Sequence, residues 1–517
     1  MKAIRYTGLI LFLFSLGLFL SSFFLSSFTL TEKSFDSIVK TEHQESLRPV
    51  FKEVFDKTYS VSIPFVNDIK SAVEQVNVKA RAEQRWNDVI YDDYVGSLTR
   101  ASAEGFVPDN KLLTFLLIYV IGAVGALMFI LPQVRLNGPP GIKNNHVFDH
   151  ALNSRGWMGI LTGVLLIGFY ILLYFFPAYI TNWIIIVDPL QKLINPSATS
   201  SQWFLYGFLY TFTVLVMGVR MIIKYRHNKY QVFRTCSVMF FQLAFAFLIP
   251  EILVRLNQPY FDFKNMWPLD YDFFDAWHIN TLTSSGGAGI FMFAWGITLF
   301  VIGVPVFVYF FGKRWYCSWV CGCGGLAETA GDPFRQLSDK SLKAWQIERY
   351  LVHAVLVFAV IMTIGVLYSF ITGSNTIMGI DTYTYLRKPY GFAIGSIFSG
   401  VVGTGFYPLM GNRVWCRFGC PLAAYLGLVQ RFKSRFRITT NGGQCISCGN
   451  CSTYCEMGID VRWYAQRGQN IIRSSCVGCG VCSAVCPRGV LNLENRDEEG
   501  RFNQPILLGN DSIEVNK

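Results

Sequence analysis

Charged residues are scarce in this chain of 517 residues, since Asp, Glu, Lys and Arg together make up only 15% of it. Hydrophobic residues reach 52%, and a soluble protein of this length needs more polar surface than that leaves. The composition therefore excludes an ordinary soluble protein and favours one that crosses a membrane. The formal net charge is +11, but the basic residues cluster beside apolar segments. That pattern orients membrane proteins, so we expect no nucleic-acid partner.

Cysteine is nearly absent from the first 316 residues. Of fourteen cysteines, only Cys236 precedes Cys317. A disulfide framework would be distributed along the chain, so this clustering indicates cofactor chemistry instead. Histidine is also rare, and of six residues only His353 lies well inside an apolar run. Membrane-bound haem b needs facing pairs of histidines, so haem is not expected.

Eight apolar runs are each long enough to cross a hydrocarbon core of about 30 Å. They cover residues 7–30, 112–133, 157–183, 203–224, 236–254, 290–311, 350–372 and 391–411. The loops 134–156, 224–235 and 313–349 are rich in Lys and Arg, whereas the alternating loops 184–202 and 255–289 are not. The positive-inside rule then predicts that both termini are cytoplasmic, and that the protein lies in the cytoplasmic (inner) membrane of a bacterium.

Two cysteine runs near the end of the chain carry the strongest chemical signal. Both follow the spacing C-x2-C-x2-C-x3-C, the run that wraps a cubic iron–sulfur cluster. The first contains Cys445, Cys448, Cys451 and Cys455, and the second contains Cys476, Cys479, Cys482 and Cys486. A zinc ion takes four ligands and does not require two identical runs of this spacing. Disulfides would need an oxidising compartment. In two-cluster ferredoxins the fourth cysteine of each run ligates the other cluster. That pattern predicts one [4Fe–4S] cluster on Cys445, Cys448, Cys451 and Cys486, and a second on Cys476, Cys479, Cys482 and Cys455.

Two further pairs of cysteines follow predicted spans at the cytoplasmic side. They are Cys317 with Cys321 and Cys416 with Cys420, each preceded by a Trp and a basic residue. Positions i and i+4 of a helix share one face, so each pair could present two thiolates together. Four such ligands suit Cu(I), another soft metal or an iron–sulfur unit. A thiol–disulfide relay and buried structural thiols are the alternatives, and Cys323 could replace one ligand.

The predicted fold is an α-helical polytopic membrane protein of about eight spans with a small α+β two-cluster ferredoxin-like domain at its C-terminus. The predicted parts are an anchor helix at 1–30, an extracytoplasmic helical region at 31–110, a multi-span membrane domain at 111–415, a cytoplasmic ferredoxin domain at 416–495 and a polar tail at 496–517. Apolar residues recur at intervals of three and four within 31–110, which favours amphipathic helices that form a cap or a partner-docking module.

One loop bears weakly on a further cofactor. The loop 255–289 ends in the glycine-rich stretch Ser284 to Gly289, which faintly resembles a covalent flavin-attachment motif. Gly289 stands where the acceptor hydroxyl would be needed, so flavin is not expected.

Residues 290–495 resemble the membrane-bound polyferredoxin family. That family includes the quinol-dehydrogenase subunit of periplasmic nitrate reductase, the membrane electron donor of nitrous-oxide reductase, and a copper-reducing accessory protein of cytochrome oxidase assembly. The resemblance rests on the paired Cys-x3-Cys motifs and the two-cluster ferredoxin run. The sequence departs from the family where Gly322 follows Cys321 and Glu456 follows Cys455, at positions the family fills with proline.

The sequence and the resemblance together predict a membrane-bound iron–sulfur electron-transfer protein. It would move electrons between cytoplasmic [4Fe–4S] clusters, the membrane site of Cys317, Cys321, Cys416 and Cys420, and a quinone or an extracytoplasmic redox partner. It would thus be an oxidoreductase subunit in a membrane complex. The alternative is a factor that binds and reduces copper for assembly of a respiratory oxidase.

Overall fold

Seven helices in the described part of the chain are long and apolar enough to cross a membrane. This computed structural model describes residues 2–374, 376–377 and 379–495, so the polar tail predicted at 496–517 lies outside it. The seven helices are Lys2–Phe24, Lys111–Leu136, Trp157–Phe175, Gln202–Lys224, Lys229–Arg255, Gly286–Phe311 and Leu342–Thr372. Large apolar side chains project from them, including Ile10, Trp157 and Val301. Exposed apolar surface of this extent is typical of a membrane-facing or protein-binding surface.

The eighth predicted span, 391–411, is also helical, but it is not one of these seven helices. It consists of the π-helix Gly391–Val402 and the short α-helices Gly403–Gly405 and Tyr407–Met410. The helical segments Tyr383–Arg387 and Lys388–Tyr390 precede it. The continuous helix ends at Gly405, because Phe406 is in a turn, and its earlier part carries Arg387 and Lys388, so its apolar part is shorter than a full span. The predicted fold class, with its C-terminal ferredoxin-like domain, is confirmed.

The chain divides into two compact units. One contains the residues up to Gln133 together with Ile171–Leu209, and the other contains Val134–Tyr170 together with the chain from Tyr210. In the first unit the predicted anchor run 7–30 is helical only to Phe24, and Ser27–Thr29 is the central strand of an antiparallel sheet. Its neighbours are Thr58–Tyr59 and Ala103–Glu104.

Amphipathic helices pack on that sheet. They are Glu32–Ile38, Thr41–Phe51, Ser62–Ala82, Tyr94–Ala101 and Phe106–Asp109. Thr31 caps the first of them by accepting a hydrogen bond from the Ser34 N–H at 3.2 Å. Phe28, Phe35, Phe51 and Phe65 are fully buried and form the core. The unit also holds Thr181–Ile186 and Asp188–Ile194.

The second unit carries the cysteines. Beyond its membrane helices it contains Ala276–Ser284, Arg314–Cys317, Gly322–Thr329, the turn Asp332–Leu337, Trp415–Gly419, Pro421–Lys433, Asn450–Thr453, Val461–Gln466 and Val481–Ala484. The strand Phe436–Thr440 pairs antiparallel with Leu491–Asn495, with Ile438 opposite Leu493, and the two cysteine runs lie between these strands. A two-residue hairpin, Thr376–Ile377 with Ile380–Asp381, completes its strands.

Candidate metal centre

Four of the C-terminal cysteines surround one cavity. Its lining includes Cys445, Cys448, Cys451 and Cys486, and we call these residues the rim set. Cys448 is exposed, Cys445 and Cys486 are partly buried, and Cys451 is buried. Gly449 has a φ of +80°, a conformation that L residues rarely adopt, and so allows the loop to turn between Cys448 and Cys451. The structure brings together the four residues that the sequence assigned to one cluster.

The other four C-terminal cysteines lie deeper, and we call Cys455, Cys476, Cys479 and Cys482 the inner set. Burial raises the pKa of Cys476 to about 11 and that of Cys479 to about 12. It raises the pKa of Cys482 as well, and the nearby sulfurs of Cys479, Cys455 and Cys476 add to the effect. Thiols in this setting lose their protons only when a cation replaces them, as a bound metal does.

The Cys-x3-Cys pairs converge on a second cavity. It is lined by Cys317, Cys321, Cys323, Cys416 and Cys420, which we call the helix-end set, and by apolar and aromatic side chains such as Tyr316 and Trp415. The four paired cysteines are buried, and Cys323 is partly buried. The structure thus brings the two distant pairs together and adds Cys323 to them.

The two pairs are built alike. Cys321 and Cys420 each stand just before a helix in extended conformation, and each donates its backbone N–H to the residue five positions earlier. These bonds are Cys321 to Tyr316 at 2.8 Å and Cys420 to Trp415 at 2.9 Å. The two cysteines of each pair therefore meet across a tight turn between two helical segments. They do not lie on one face of a single helix, as the i, i+4 spacing predicted.

The spacing of the sulfurs bears on what they could hold. Among the described residues, no three cysteine sulfurs lie within 4.8 Å of one another. A single tetrahedral metal ion with sulfur ligands at about 2.3 Å would hold them roughly 3.8 Å apart. A cluster separates its ligand sulfurs further, because each binds a different iron. The helix-end sulfurs therefore do not stand at the spacing of a single tetrahedral ion.

Hydrogen bonds join the segments next to the helix-end set to the loop that carries the inner set. Ser318, which lies between Cys317 and Cys321 and is fully buried, donates its hydroxyl to the Val477 carbonyl at 2.7 Å. Gln430 donates to the Cys476 carbonyl at 3.0 Å and accepts from the Lys313 N–H at 2.6 Å. The loop that holds Cys476 and Cys479 is thus fixed to the ends of the membrane helices.

Two side chains of the helix Lys229–Phe240 hold the same loop. Tyr230 donates to the Gly478 carbonyl at 2.9 Å, and Gln231 donates to the Cys479 carbonyl at 2.8 Å. Sequence reasoning missed these donors, because each lies 248 residues before the carbonyl that it binds. Only their position in the basic segments 224–235 and 313–349 could have drawn attention to them.

A buried ion-pair network surrounds the helix-end and inner sets. Its members are almost completely buried: Arg220, Lys224, Arg234, Arg335 and Arg413 as cations, with Glu328, Asp332 and Glu456 as anions. The Glu456 carboxylate forms ion pairs with Arg335 at 2.7 Å and with Arg413 at 2.9 Å. This is the position where the sequence departs from the family's proline, so the network gives that departure a physical reason.

Arg413 connects the network to sulfur. Its guanidinium donates to the Cys416 Sγ at 3.6 Å and to the Cys317 carbonyl at 3.3 Å. Burial alone would raise the pKa of Asp332, but Lys224, Arg220 and Arg335 outweigh it and hold that pKa well below its usual range. The five cations exceed the three carboxylates by two charges, and this surplus is available to balance thiolates.

Comparisons with known proteins agree with this arrangement. Residues 437–487 match the profile of a 4Fe-4S dicluster domain, and residues 293–341 and 390–439 each match that of a 4Fe-4S binding domain. The second profile therefore covers both Cys-x3-Cys pairs. No solved structure matches the chain.

Two curated relatives are similar to part of the chain. YccM of Escherichia coli (strain K12), whose name assigns it a proposed role in electron transport, is 27% identical over 158 residues, 29% of this chain and 43% of the relative. The methylamine utilization ferredoxin-type protein MauN of Methylobacillus flagellatus is 27% identical over 160 residues, 29% of this chain and 51% of the relative. The chain thus spans about half the length of the curated relatives it matches.

These findings define a class first: the chain combines 4Fe–4S domains of ferredoxin type with helices long and apolar enough to cross a membrane. In its cysteine-bearing segments it is similar to membrane proteins of the polyferredoxin type.

Proposed function

We propose that the protein passes electrons between two [4Fe–4S] clusters on the rim and inner sets, the helix-end set, and a quinone or an extracytoplasmic redox partner. In this proposal Cys445, Cys448, Cys451 and Cys486 hold one cluster, and Cys476, Cys479, Cys482 and Cys455 hold the other. The observation that carries it is a single hydrophobic core that contains twelve of the fourteen cysteines. The two left out of that core are Cys236 and Cys448.

The helix-end set is proposed to hold a further iron–sulfur unit. The match of both pairs to a 4Fe-4S binding profile supports this choice. When bound, such a unit would accept and release single electrons. The Ser318 hydrogen bond brings this set against the inner set, so an electron would have a short route through packed protein.

The residues around the sulfurs would tune them. Burial raises the pKa of Cys317 to about 12 and also raises the pKa of Cys416, and in both thiols the Lys313 ammonium and Arg413 oppose the rise. The same cations would stabilise the negative charge gained on reduction, and so favour the reduced state. The protein's contribution is placement and electrostatics, while the redox chemistry belongs to the clusters.

Orientation in a bacterial cytoplasmic membrane with both termini in the cytoplasm is part of the proposal. The basic loops 134–156, 224–235 and 313–349 support it, because they adjoin the segments that carry the cysteines. A reducing compartment would keep all fourteen cysteines available as thiols. Residues 31–110 would then lie on the extracytoplasmic side and dock a partner.

Anaerobic purification of the full chain, with analysis of iron, sulfide and copper and EPR of the reduced protein, tests the proposal. Two clusters require about eight irons per chain, and a count above eight would reveal the helix-end unit. The double variant Cys416→Ser/Cys420→Ser should lose only that excess, and Cys236→Ser is the matched control because Cys236 lies outside the core. Loss of copper with all iron retained would favour the copper-reducing alternative. A protein that binds zinc but little iron would overturn the cluster assignment.

A further inference from the structure

One cavity of the second unit is strongly cationic and adjoins the helix-end set, since Cys416 and Lys313 are part of its lining, but its other basic side chains have no part in the function proposed above. Its volume is about 440 Å³, which is in the range of small-molecule sites. Five cationic side chains line it against one carboxylate, Glu348, which leaves a net charge of +4. The five are Lys313, Arg349, Arg417, Arg431 and Arg473.

The charges in this cavity are poorly matched within the protein. Arg417 donates from Nε to Glu348 at 2.6 Å and so occupies the one carboxylate in the lining. In the described part of the chain, none of the other four cations makes an ion pair with a carboxylate. Arg349 and Arg473 instead lie over the ring of Trp345, at 6.0 and 5.3 Å from its centroid.

Two buried donors point to a missing acceptor. Arg417 is only 4% exposed, and its Nη2 has no hydrogen-bond partner among the residues that the structure describes, whereas its Nη1 donates to the Asp339 carbonyl at 2.6 Å. Lys313 is only 2% exposed, and its ammonium donates to the Ser474 carbonyl at 3.2 Å. A buried guanidinium N–H without an acceptor is costly, so a ligand that supplies one would bind favourably.

From these observations we infer that the cavity binds a phosphate group, and that its source is the headgroup of an anionic phospholipid. A phosphate offers several acceptor oxygens to guanidinium groups and carries the charge that the cavity lacks. Arg349, Tyr350 and Arg431 at the cavity are exposed, so a ligand can enter. The lining also reaches His353, inside the predicted span 350–372, which puts the cavity near the level of lipid phosphates.

The inference does not depend on the clusters, and lipid binding tests it directly. Delipidated full-length protein in detergent is titrated with phosphatidylglycerol, with phosphatidylcholine and with inorganic phosphate, and the bound species are counted by native mass spectrometry. We expect phosphatidylglycerol to be retained in preference to phosphatidylcholine. Replacing two cations, in Arg431→Gln/Arg473→Gln, should weaken it on the order of 30-fold, since each basic residue contributes about a fivefold factor. Arg417→Lys, which retains the charge but removes Nη2, should weaken binding several-fold.

Arg467→Gln is the matched control. Arg467 is exposed and stacks on Trp463 at 4.1 Å from the ring centroid, but it does not line the cavity. Unchanged iron content in every variant would show that the protein is folded and that any failure belongs to this inference alone. Binding of inorganic phosphate with the same dependence on the variants would keep the phosphate site and replace lipid by a soluble source. Equal retention of phosphatidylglycerol by the wild type and the double variant would overturn the inference.

Discussion

The rim and inner sets come from the same cysteine spacing but lie in different surroundings. The rim set borders a cavity at the surface, with Cys448 exposed. The inner set is held by Ser318, Tyr230, Gln231 and Gln430 from other parts of the second unit. Identical motifs therefore supply both sets of cysteines, whereas the surrounding chain decides which set meets solvent and which meets the helix ends. In the proposed function the rim set would exchange electrons with a partner, and the inner set would relay them.

The largest effect is expected from removing a ligand of the inner set. Cys482→Ser should lose about four of eight irons and also release the loop that is fixed to the helix ends, so the yield of folded protein should fall sharply. Cys448→Ser should lose a similar amount of iron but leave the fold intact. Iron analysis combined with thermal unfolding distinguishes the two. Equal unfolding temperatures for both variants would remove the difference between the sets.

The next effect concerns the buried ions that surround the inner and helix-end sets. Arg413→Gln leaves Glu328 and Glu456 with fewer partners in the interior, which should lower the free energy of unfolding by about 3–5 kcal/mol. Chemical unfolding measured by circular dichroism provides the value. Arg467→Gln, at an exposed site, should change it by less than about 0.5 kcal/mol. A small effect of Arg413→Gln would mean that the network contributes little to stability.

Much of this arrangement was predictable and much was not. Both cysteine runs and both Cys-x3-Cys pairs could be read from spacing, because the cysteines within each motif lie three or four positions apart. The network could not, because Arg413 meets Glu328 and Glu456 across 85 and 43 residues of chain. Only Glu456 gave a signal, as the residue that replaces an expected proline. Helix spans were predictable from apolar length, but the strand Ser27–Thr29 inside the first predicted run was not, since no charged residue or proline separates it from the helix before it.

One hydroxyl, that of Ser318, contributes to the link between the inner and helix-end sets. Ser318→Ala should lower stability by about 1–3 kcal/mol, because it leaves the buried Val477 carbonyl without this donor. It should also slow electron transfer between the sets, measured anaerobically as the rate at which reduced clusters are reoxidised by a quinone analogue. Ser237→Ala is the matched control, since Ser237 donates to the Trp319 carbonyl at 3.0 Å and does not reach the loop of the inner set. Equal reoxidation rates in the two variants would exclude a route through Ser318.

The smallest effect is expected at the rim set, where solvent screens each charge. Arg462 lines its cavity and is exposed, so its guanidinium favours the reduced state only weakly. Arg462→Gln should lower the reduction potential of the rim site by no more than about 40 mV, the one-electron equivalent of about 1 kcal/mol. The shift should shrink further between low and high salt, because exposed charges are screened within about 10 Å at 0.1 M. EPR-monitored redox titration at two ionic strengths measures it. A larger, salt-independent shift would mean that the rim set is as well shielded from solvent as the inner set. The contrast between the two sets would then lie in their ligands and not in their exposure to water.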